Sequence, residues 1–155
     1  MKKDISLNEI LPLIDEILDA NSEVSFTPSG TSMLPLLRHQ KDKVVLKRPK
    51  GKLKKYDVPL YRRDDGSFVL HRVIGVRPDG YVMCGDNQTV KEYHIKDESI
   101  IAVMSSFYRN NKHIYCDSFS YRTYSRLWVL SLPCRWLVGK LRALLGRIRR
   151  KLFGN

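Results

Sequence analysis

The segment SFVLHRVIGVRPDGYVMCGDNQ, residues 67–88, decides the fold that we predict from the sequence. Its two apolar runs, 67–76 and 80–84, are rich in Val, Ile, Tyr and Phe, which favour β-strands. The sequence Pro-Asp-Gly at 78–80 separates the two runs, and glycine tolerates the positive φ that a tight turn requires. The segment therefore predicts two strands joined by a turn.

The same sequence pattern extends over residues 24–115, where short β-rich runs alternate with turn signals. The sequence Asp-Asp-Gly at 64–66 is a second turn of this kind. Many short strands with close turns indicate a mainly β fold, either a small coiled antiparallel sheet or a partial barrel. We assign residues 24–117 to this β domain. The remaining predicted strands are 43–47, 57–61, 99–107 and 112–116.

Residues 1–23 are predicted to form an N-terminal helix. Ser6 and Glu9 have the spacing of a capping box, and the apolar residues that follow, at 10, 13, 14, 17 and 18, form a helical stripe. Acidic residues interrupt the segment, which is therefore unlike a secretory signal. The sequence also lacks an apolar run of about 18 residues, the length of a membrane span. We therefore expect a cytoplasmic protein.

Residues 118–155 form a basic C-terminal segment without a single Asp or Glu, in a chain of formal net charge +12. So large a positive charge points to an anionic partner. Helical periodicity places Arg142, Arg149 and Arg150 opposite an apolar face. That face consists of Leu137, Leu141, Leu144, Leu145, Ile148 and Leu152.

Such a basic amphipathic helix, with Trp128, Trp136 and Phe153 nearby, suits the plane of an anionic membrane surface. We expect residues 121–155 to hold the protein at the cytosolic face of a membrane. Packing of the helix on the β domain and binding of a partner protein are the alternatives. Nucleic acid is a weaker candidate, because no recognised nucleic-acid-binding motif accompanies the charge.

The segment SGTSMLPLL, residues 29–37, holds a candidate nucleophile in Ser32. Gly30 allows a tight turn before this serine and Pro35 stiffens the chain after it, so the bend can present the hydroxyl to a substrate carbonyl. Such a serine needs a base within hydrogen-bond reach and donors for the oxyanion. Glycine and proline flank serine in many ordinary turns, so the segment alone does not decide the function.

His71, inside the apolar run 67–76, is the candidate base, because its usual pKa of about 6.5 suits proton transfer near neutrality. A histidine in a strand is also commonly structural. Asp86 lies in CGDNQ, residues 84–88, and could orient an imidazole as the acid of a Ser-His-Asp triad does. An ordinary turn stabilised by its side chain is the alternative for Asp86.

Four segments together resemble the superfamily of signal peptidase I and the SOS-repressor peptidases. SGTSMLPLL is similar to the family's serine box, roughly Gly-x-Ser-Met-x-Pro. KKYDVPLY, residues 54–61, is similar to its Gly-Asp-Val-Val-x-Tyr strand, with Tyr56 where glycine is usual. VLHRVIGV, residues 69–76, resembles the strand that carries the general base, and CGDNQ resembles the Gly-Asp-Asn box. The four occur in family order within about residues 24–104.

The resemblance implies a serine endopeptidase in which Ser32 is the nucleophile and His71 the general base. Most bacterial members and the self-cleaving repressors carry lysine at the base position. Histidine is typical of the endoplasmic-reticulum and spore-former type of signal peptidase. Asp86 is the expected acid, and Glu92 is held in reserve for that role.

The resemblance also implies how a substrate is held. The Ser32 backbone N–H, with a hydroxyl of Ser29 or Thr31, would stabilise the oxyanion, and Met33 and Leu34 would form an apolar groove. The substrate is expected to be an extended peptide or protein segment that docks like a strand on a sheet edge. No cofactor and no metal ion are implied, and the three cysteines lack metal-ligand spacing.

Two other interpretations remain open at the level of sequence. Family signal peptidases have an N-terminal membrane anchor, and none is recognisable here, so a catalytically inactive, membrane-associated binding protein is one alternative. A transcriptional regulator of the repressor type is the other. Residues 1–23 hold at most one helix, which is too little for the helix-turn-helix that such a regulator needs.

Overall fold

The computed structural model describes residues 14–20 and 22–153, with side chains described up to residue 145. Strands hold 34% of the residues and helices 27%, so the predicted mainly β class is confirmed. Every strand pairing in the described part of the chain is antiparallel, as predicted. The predicted capping box of Ser6 and Glu9 lies outside the described residues.

Helix α1 is described over residues 14–19. Its inner face is apolar, and Ile14 and Leu18 are buried in the main core. Its outer face is tied to the sheet by Arg48, whose guanidinium donates to Asp15 at 3.0 Å and to Asp19 at 2.5 Å. The helix therefore packs on the β domain instead of standing apart from it.

The described residues form nine strands. In chain order these are β1 (Val24–Phe26), β2 (Lys43–Lys47), β3 (Pro59–Arg62), β4 (Phe68–Leu70), β5 (Arg72–Arg77), β6 (Gly80–Cys84), β7 (Glu92–Ile95), β8 (Ile100–Arg109) and β9 (Lys112–Tyr115). The larger sheet has the order β1-β2-β8-β3-β4, and β9 pairs with β8. The smaller sheet has the order β5-β6-β7.

The long strand β8 organises the larger sheet, because it pairs with β2, β3 and β9. The main core lies against this sheet and takes in α1 and the apolar residues Met33, Leu36 and Leu37. A second, smaller core joins the two sheets. Its buried members are Leu53, Tyr61, Val73, Tyr81 and Met83.

The predictions for 43–47 and 80–84 match β2 and β6 residue for residue. The prediction of one continuous strand over 67–76 is wrong, because the chain changes sheets at His71. Leu70 pairs with Leu60 in the larger sheet, whereas Arg72 pairs with Cys84 in the smaller one. His71 is thus the single residue between two strands, at the junction of the sheets.

Two helices follow the sheets, α2 (Phe119–Leu130) and α3 (Leu132–Phe153). The hydroxyl of Ser118 caps α2 by accepting a hydrogen bond from the Tyr121 N–H, which is a common way to begin a helix. One face of α2 packs on the β domain, where Tyr121 and Ser125 are buried. Within the described residues, no helix is both long enough and apolar enough to span a membrane.

Candidate active site

The serine loop, residues 29–37, is fastened to the turn at residues 84–88. The backbone N–H of Asn87 donates to the Ser32 carbonyl at 2.7 Å. A Cβ on Gly85 would lie 2.8 Å from the same carbonyl oxygen, so this close approach requires glycine. Ser32 itself is half-buried. The turn therefore holds the backbone of the loop in place and leaves Ser32 partly accessible.

His71 lies next to the same turn. Its neighbour Arg72 pairs with Cys84, the first residue of the turn, in the register of β5 and β6. The Ser32 carbonyl is hydrogen-bonded to Asn87, in the same turn. The fold thus brings the segments of the predicted nucleophile and the predicted base to one short stretch of chain.

The segment 54–61 joins this arrangement through two backbone hydrogen bonds. The Tyr56 N–H donates to the Val73 carbonyl, and the Val73 N–H donates to the Asp57 carbonyl, each at 2.8 Å. Tyr56 has a φ of 86°, which lies in the left-handed region that favours glycine. This is the position at which the family pattern has glycine, so the backbone here keeps a glycine-like conformation with a tyrosine side chain.

A carboxylate faces the imidazole of His71. The Nδ1 atom lies 2.9 Å from Oε1 of Glu92 and 3.2 Å from the hydroxyl of Tyr61. A carboxylate at this distance accepts a hydrogen bond from the protonated Nδ1, which leaves Nε2 unprotonated in the neutral ring. Nε2 is then the nitrogen that can accept a proton.

Glu92 is itself held in place by Arg63. The guanidinium donates to both carboxylate oxygens, from Nε at 2.7 Å and from Nη2 at 2.6 Å. Burial on its own would raise the pKa of Glu92. The hydrogen bonds from Arg63 and Tyr61 and the nearby His71 outweigh that effect and lower the pKa. Glu92 is therefore ionised near neutral pH.

Burial lowers the pKa of His71 below its ordinary value of 6.5, and the charge of Arg63 acts in the same direction. The negative charge of Glu92 opposes both effects without cancelling them. The side chain is only 1% exposed, which explains why burial dominates. His71 is therefore a neutral imidazole at pH 7, as a general base needs to be.

Asp86 has a different partner. Both of its carboxylate oxygens accept hydrogen bonds from Arg72, from Nε at 2.8 Å and from Nη2 at 2.7 Å. The two side chains are 2% and 1% exposed, so this is a fully buried ion pair. Arg72 donates with its remaining nitrogen to the Tyr56 carbonyl and to the hydroxyls of Tyr121 and Ser125. The pair locks the turn to β5 and to α2.

Helix α2 and the start of α3 also hold the main chain of this turn. The Asp86 carbonyl accepts hydrogen bonds from Nε1 of Trp128 at 3.0 Å and from Nη1 of Arg135 at 2.5 Å. The guanidinium of Arg135 stacks over the Trp128 ring, 4.2 Å from its centroid. The helices that follow residue 117 thus buttress the site that the β domain forms.

The predicted oxyanion and groove residues are separated by the fold. Ser29 and Thr31 are exposed in the serine loop, and Met33 is buried in the main core, which takes its side chain away from any open groove. Leu34 instead lines a cleft of about 530 Å³. The other lining residues include Pro35, Asn87, Thr89, Trp128 and Val138.

The contacts of Arg63 and Arg72 were not part of the sequence prediction. Arg63 follows β3 and meets Glu92 on β7, and no local pattern links two residues so far apart. Alternation along a single strand over 67–76 predicts only that Arg72 lies on the face opposite His71. An arginine inside an otherwise apolar strand is a usable signal, because a buried guanidinium needs a carboxylate partner.

Comparison of the chain with models of known protein families and with curated proteins gives no match. The family resemblance therefore depends on the four segments and on their geometry. Among the described residues, no group of three or more His, Cys, Asp or Glu side chains is placed to hold a metal ion. The described cysteines are free thiols, of which Cys84 is buried.

Proposed function

We propose that the protein is a serine endopeptidase with a fold of the signal-peptidase type, and that Ser32, His71 and Glu92 are its catalytic residues. One observation carries the proposal. The neutral imidazole of His71 is oriented by an ionised carboxylate at Nδ1, and the Ser32 loop is fastened to the turn beside it. A serine peptidase needs this order of nucleophile, base and orienting acid.

The proposed reaction begins when His71 Nε2 takes the proton of the Ser32 hydroxyl as its oxygen attacks the peptide carbonyl. The Ser32 backbone N–H stabilises the resulting oxyanion. The tetrahedral intermediate collapses, the C–N bond breaks, and His71 gives its proton to the departing amine. Water then attacks the acyl-enzyme, with His71 again as the base, and releases the carboxylic acid and the free serine.

In this proposal Glu92 takes the role that the family resemblance first gave to Asp86. The carboxylate of Glu92 contacts Nδ1 of His71, whereas that of Asp86 is occupied by Arg72. Asp86 is then a positioning residue, since it holds the turn against which the Ser32 loop rests. Glu92 keeps the imidazole in the tautomer that leaves Nε2 free.

Contacts among the four family-like segments support the fold assignment. Segment 54–61 is bonded to the strand after His71, that strand pairs with the turn, and the turn is bonded to the Ser32 loop. The positive φ of Tyr56, at the position where the family has glycine, supports it independently. The cleft lined by Leu34 and Val138 is proposed to take apolar residues of an extended substrate.

The experiment is cleavage of a pool of extended peptides, with products identified by mass spectrometry. Wild-type protein is expected to cut a subset of the pool, and Ser32→Ala is expected to cut none. Ser25→Ala is the matched control, because Ser25 is an exposed serine on β1 outside the site. Equal cleavage by wild type and Ser32→Ala would refute the proposal. An intact pool in every case would favour the inactive binding protein.

A further inference from the structure

Helix α3 leaves the β domain after its first turn. Leu132 is buried and Arg135 is half-buried, but every residue from 136 to 145 is exposed. Leu137, Leu141, Leu144 and Leu145 are each more than half exposed, at 53%, 51%, 52% and 64%. The β domain therefore does not cover this part of the helix, and four large apolar side chains stand in water.

These leucines share one face of α3. At about 100° per residue, all four lie within an arc of about 100°. Lys140 and Arg142 border this arc on opposite sides, each about 100° from its centre. Long basic side chains in these positions can extend their charges away from an apolar surface while their stems rest on it.

Helix α2 repeats the arrangement on its outer side. Phe119, Leu127 and Leu130 are 86%, 61% and 75% exposed, and they fall within an arc of about 80°. Arg122 and Arg126 are exposed on the same helix. The inner side of α2 is occupied by the β domain, so its apolar stripe faces outward.

All charged side chains in the sequence of the two helices are basic. Residues 118–155 contain no Asp or Glu, so no cation of this segment has an acidic neighbour within it. Trp136 adds an interfacial side chain, and the ammonium group of Lys140 lies 4.0 Å from its ring centroid. Trp136 lies on the Lys140 side of α3, about 130° from the centre of the leucine arc. The pair therefore flanks the apolar face, and tryptophan and lysine both suit the headgroup region of a membrane.

We propose that the outer stripes of α2 and α3, with their flanking cations, form a docking surface for an anionic lipid membrane. The leucines and Phe119 enter the acyl boundary, and the arginines and lysines meet the headgroup phosphates. Nucleic acid would neutralise the cations and leave the leucines in water. A lipid surface accounts for both features.

Docking by these helices would also bring the candidate site to the membrane. The inner sides of α2 and α3 donate hydrogen bonds to the Asp86 carbonyl through Trp128 and Arg135. The cleft lined by Leu34, from the serine loop, is also lined by Val138, which belongs to α3. The lipid proposal itself does not depend on peptidase activity, and Ser32→Ala is expected to bind membranes as the wild type does.

The test is co-sedimentation of the full chain with vesicles. One set consists of phosphatidylcholine alone, and in the other phosphatidylserine replaces part of it. Wild type is expected to bind the second set at least roughly tenfold more tightly, and added salt is expected to weaken that binding. Leu141→Glu is expected to reduce the affinity roughly tenfold or more, because it removes an apolar side chain from the docking surface and adds a negative charge that anionic headgroups repel.

Ala143→Glu is the matched control, because it makes the same change of charge on the opposite side of α3. A small effect of Ala143→Glu beside a large effect of Leu141→Glu supports the docking face. Equal effects of the two variants would overturn it and indicate adsorption by charge alone. Absence of binding to both vesicle sets would also overturn it, and capture of an acidic protein or nucleic acid would then identify the partner class.

Discussion

Glu92 places a carboxylate oxygen 2.9 Å from Nδ1 of His71, and Arg63 donates hydrogen bonds to both oxygens of that carboxylate. This relationship gives a buried histidine an oriented ring and a neutral, proton-accepting Nε2. The sequence ranked Asp86 first as the acid and held Glu92 in reserve, and the two carboxylates have different partners in the structure. Glu92 contacts His71, and Asp86 forms an ion pair with the buried Arg72.

Replacing Glu92 by glutamine is expected to lower kcat by roughly a hundredfold to ten-thousandfold, because the neutral amide no longer fixes the ring tautomer. The pair with Arg63 is partly exposed to solvent and contributes little to stability, so the free energy of unfolding should fall by no more than about 1 kcal/mol. Steady-state kinetics and urea unfolding check the two parts. Unchanged kcat in a folded Glu92→Gln variant would remove Glu92 from the catalytic residues.

Asp86→Asn is expected mainly to lower the free energy of unfolding. It leaves the buried guanidinium of Arg72 without a charged partner, which costs about 3–5 kcal/mol of unfolding free energy. Urea unfolding of Asp86→Asn and of Glu92→Gln measures how much unfolding free energy each variant loses. If Asp86→Asn proved as stable as the wild type while losing activity, the acid role would return to Asp86.

The rate of cleavage should depend on the protonation of His71. Since burial lowers its pKa, kcat/KM is expected to rise with pH along a limb whose midpoint lies below 6.5. In Glu92→Gln the midpoint should move lower still, because the charge of Glu92 raises the pKa of His71. A midpoint well above 6.5, or one that moves upward in Glu92→Gln, would contradict this placement of the imidazole.

The same titration has a consequence for stability. A histidine whose pKa is lower in the folded than in the unfolded state resists protonation when folded. Its contribution to stability is therefore present above about pH 6.5 and is lost as the pH falls toward the folded pKa. Replacing His71 by glutamine is expected to flatten the dependence of the unfolding free energy on pH in this window, which urea unfolding at several pH values measures.

Tyr56 offers a test of the backbone at the second family-like segment. Its φ of 86° disfavours any side chain. Tyr56→Gly and Tyr56→Ala both remove the ring and its contact with Lys55, but only glycine relieves the backbone. The glycine variant is expected to be more stable than the alanine variant by about 1 kcal/mol in urea unfolding. An alanine variant of equal or greater stability would exclude the left-handed conformation.

The sequence predicted the mainly β class, the two helical ends and the strands 43–47 and 80–84, because their apolar patterns and turns are local. The change of sheet at His71 was not predictable, since no glycine, proline or other turn signal separates β4 from β5. The partner of His71 lies on β7, whose sequence Glu-Tyr-His-Ile carries little apolar pattern. Arg72 pairs with Asp86 because of the register between β5 and β6. A shift of one residue in that register would turn the Arg72 side chain to the opposite face of the sheet.

Trapping the acyl-enzyme is the most direct test of Ser32 as the nucleophile. A peptide cut by the wild-type protein is mixed with it, the reaction is quenched in acid within the first turnovers, and the protein is digested for mass spectrometry. An added acyl mass is expected on the fragment that contains Ser32, and none is expected in Ser32→Ala. Cleavage that continues in Ser32→Ala, with no acyl mass on the wild-type fragment, would contradict this role of Ser32.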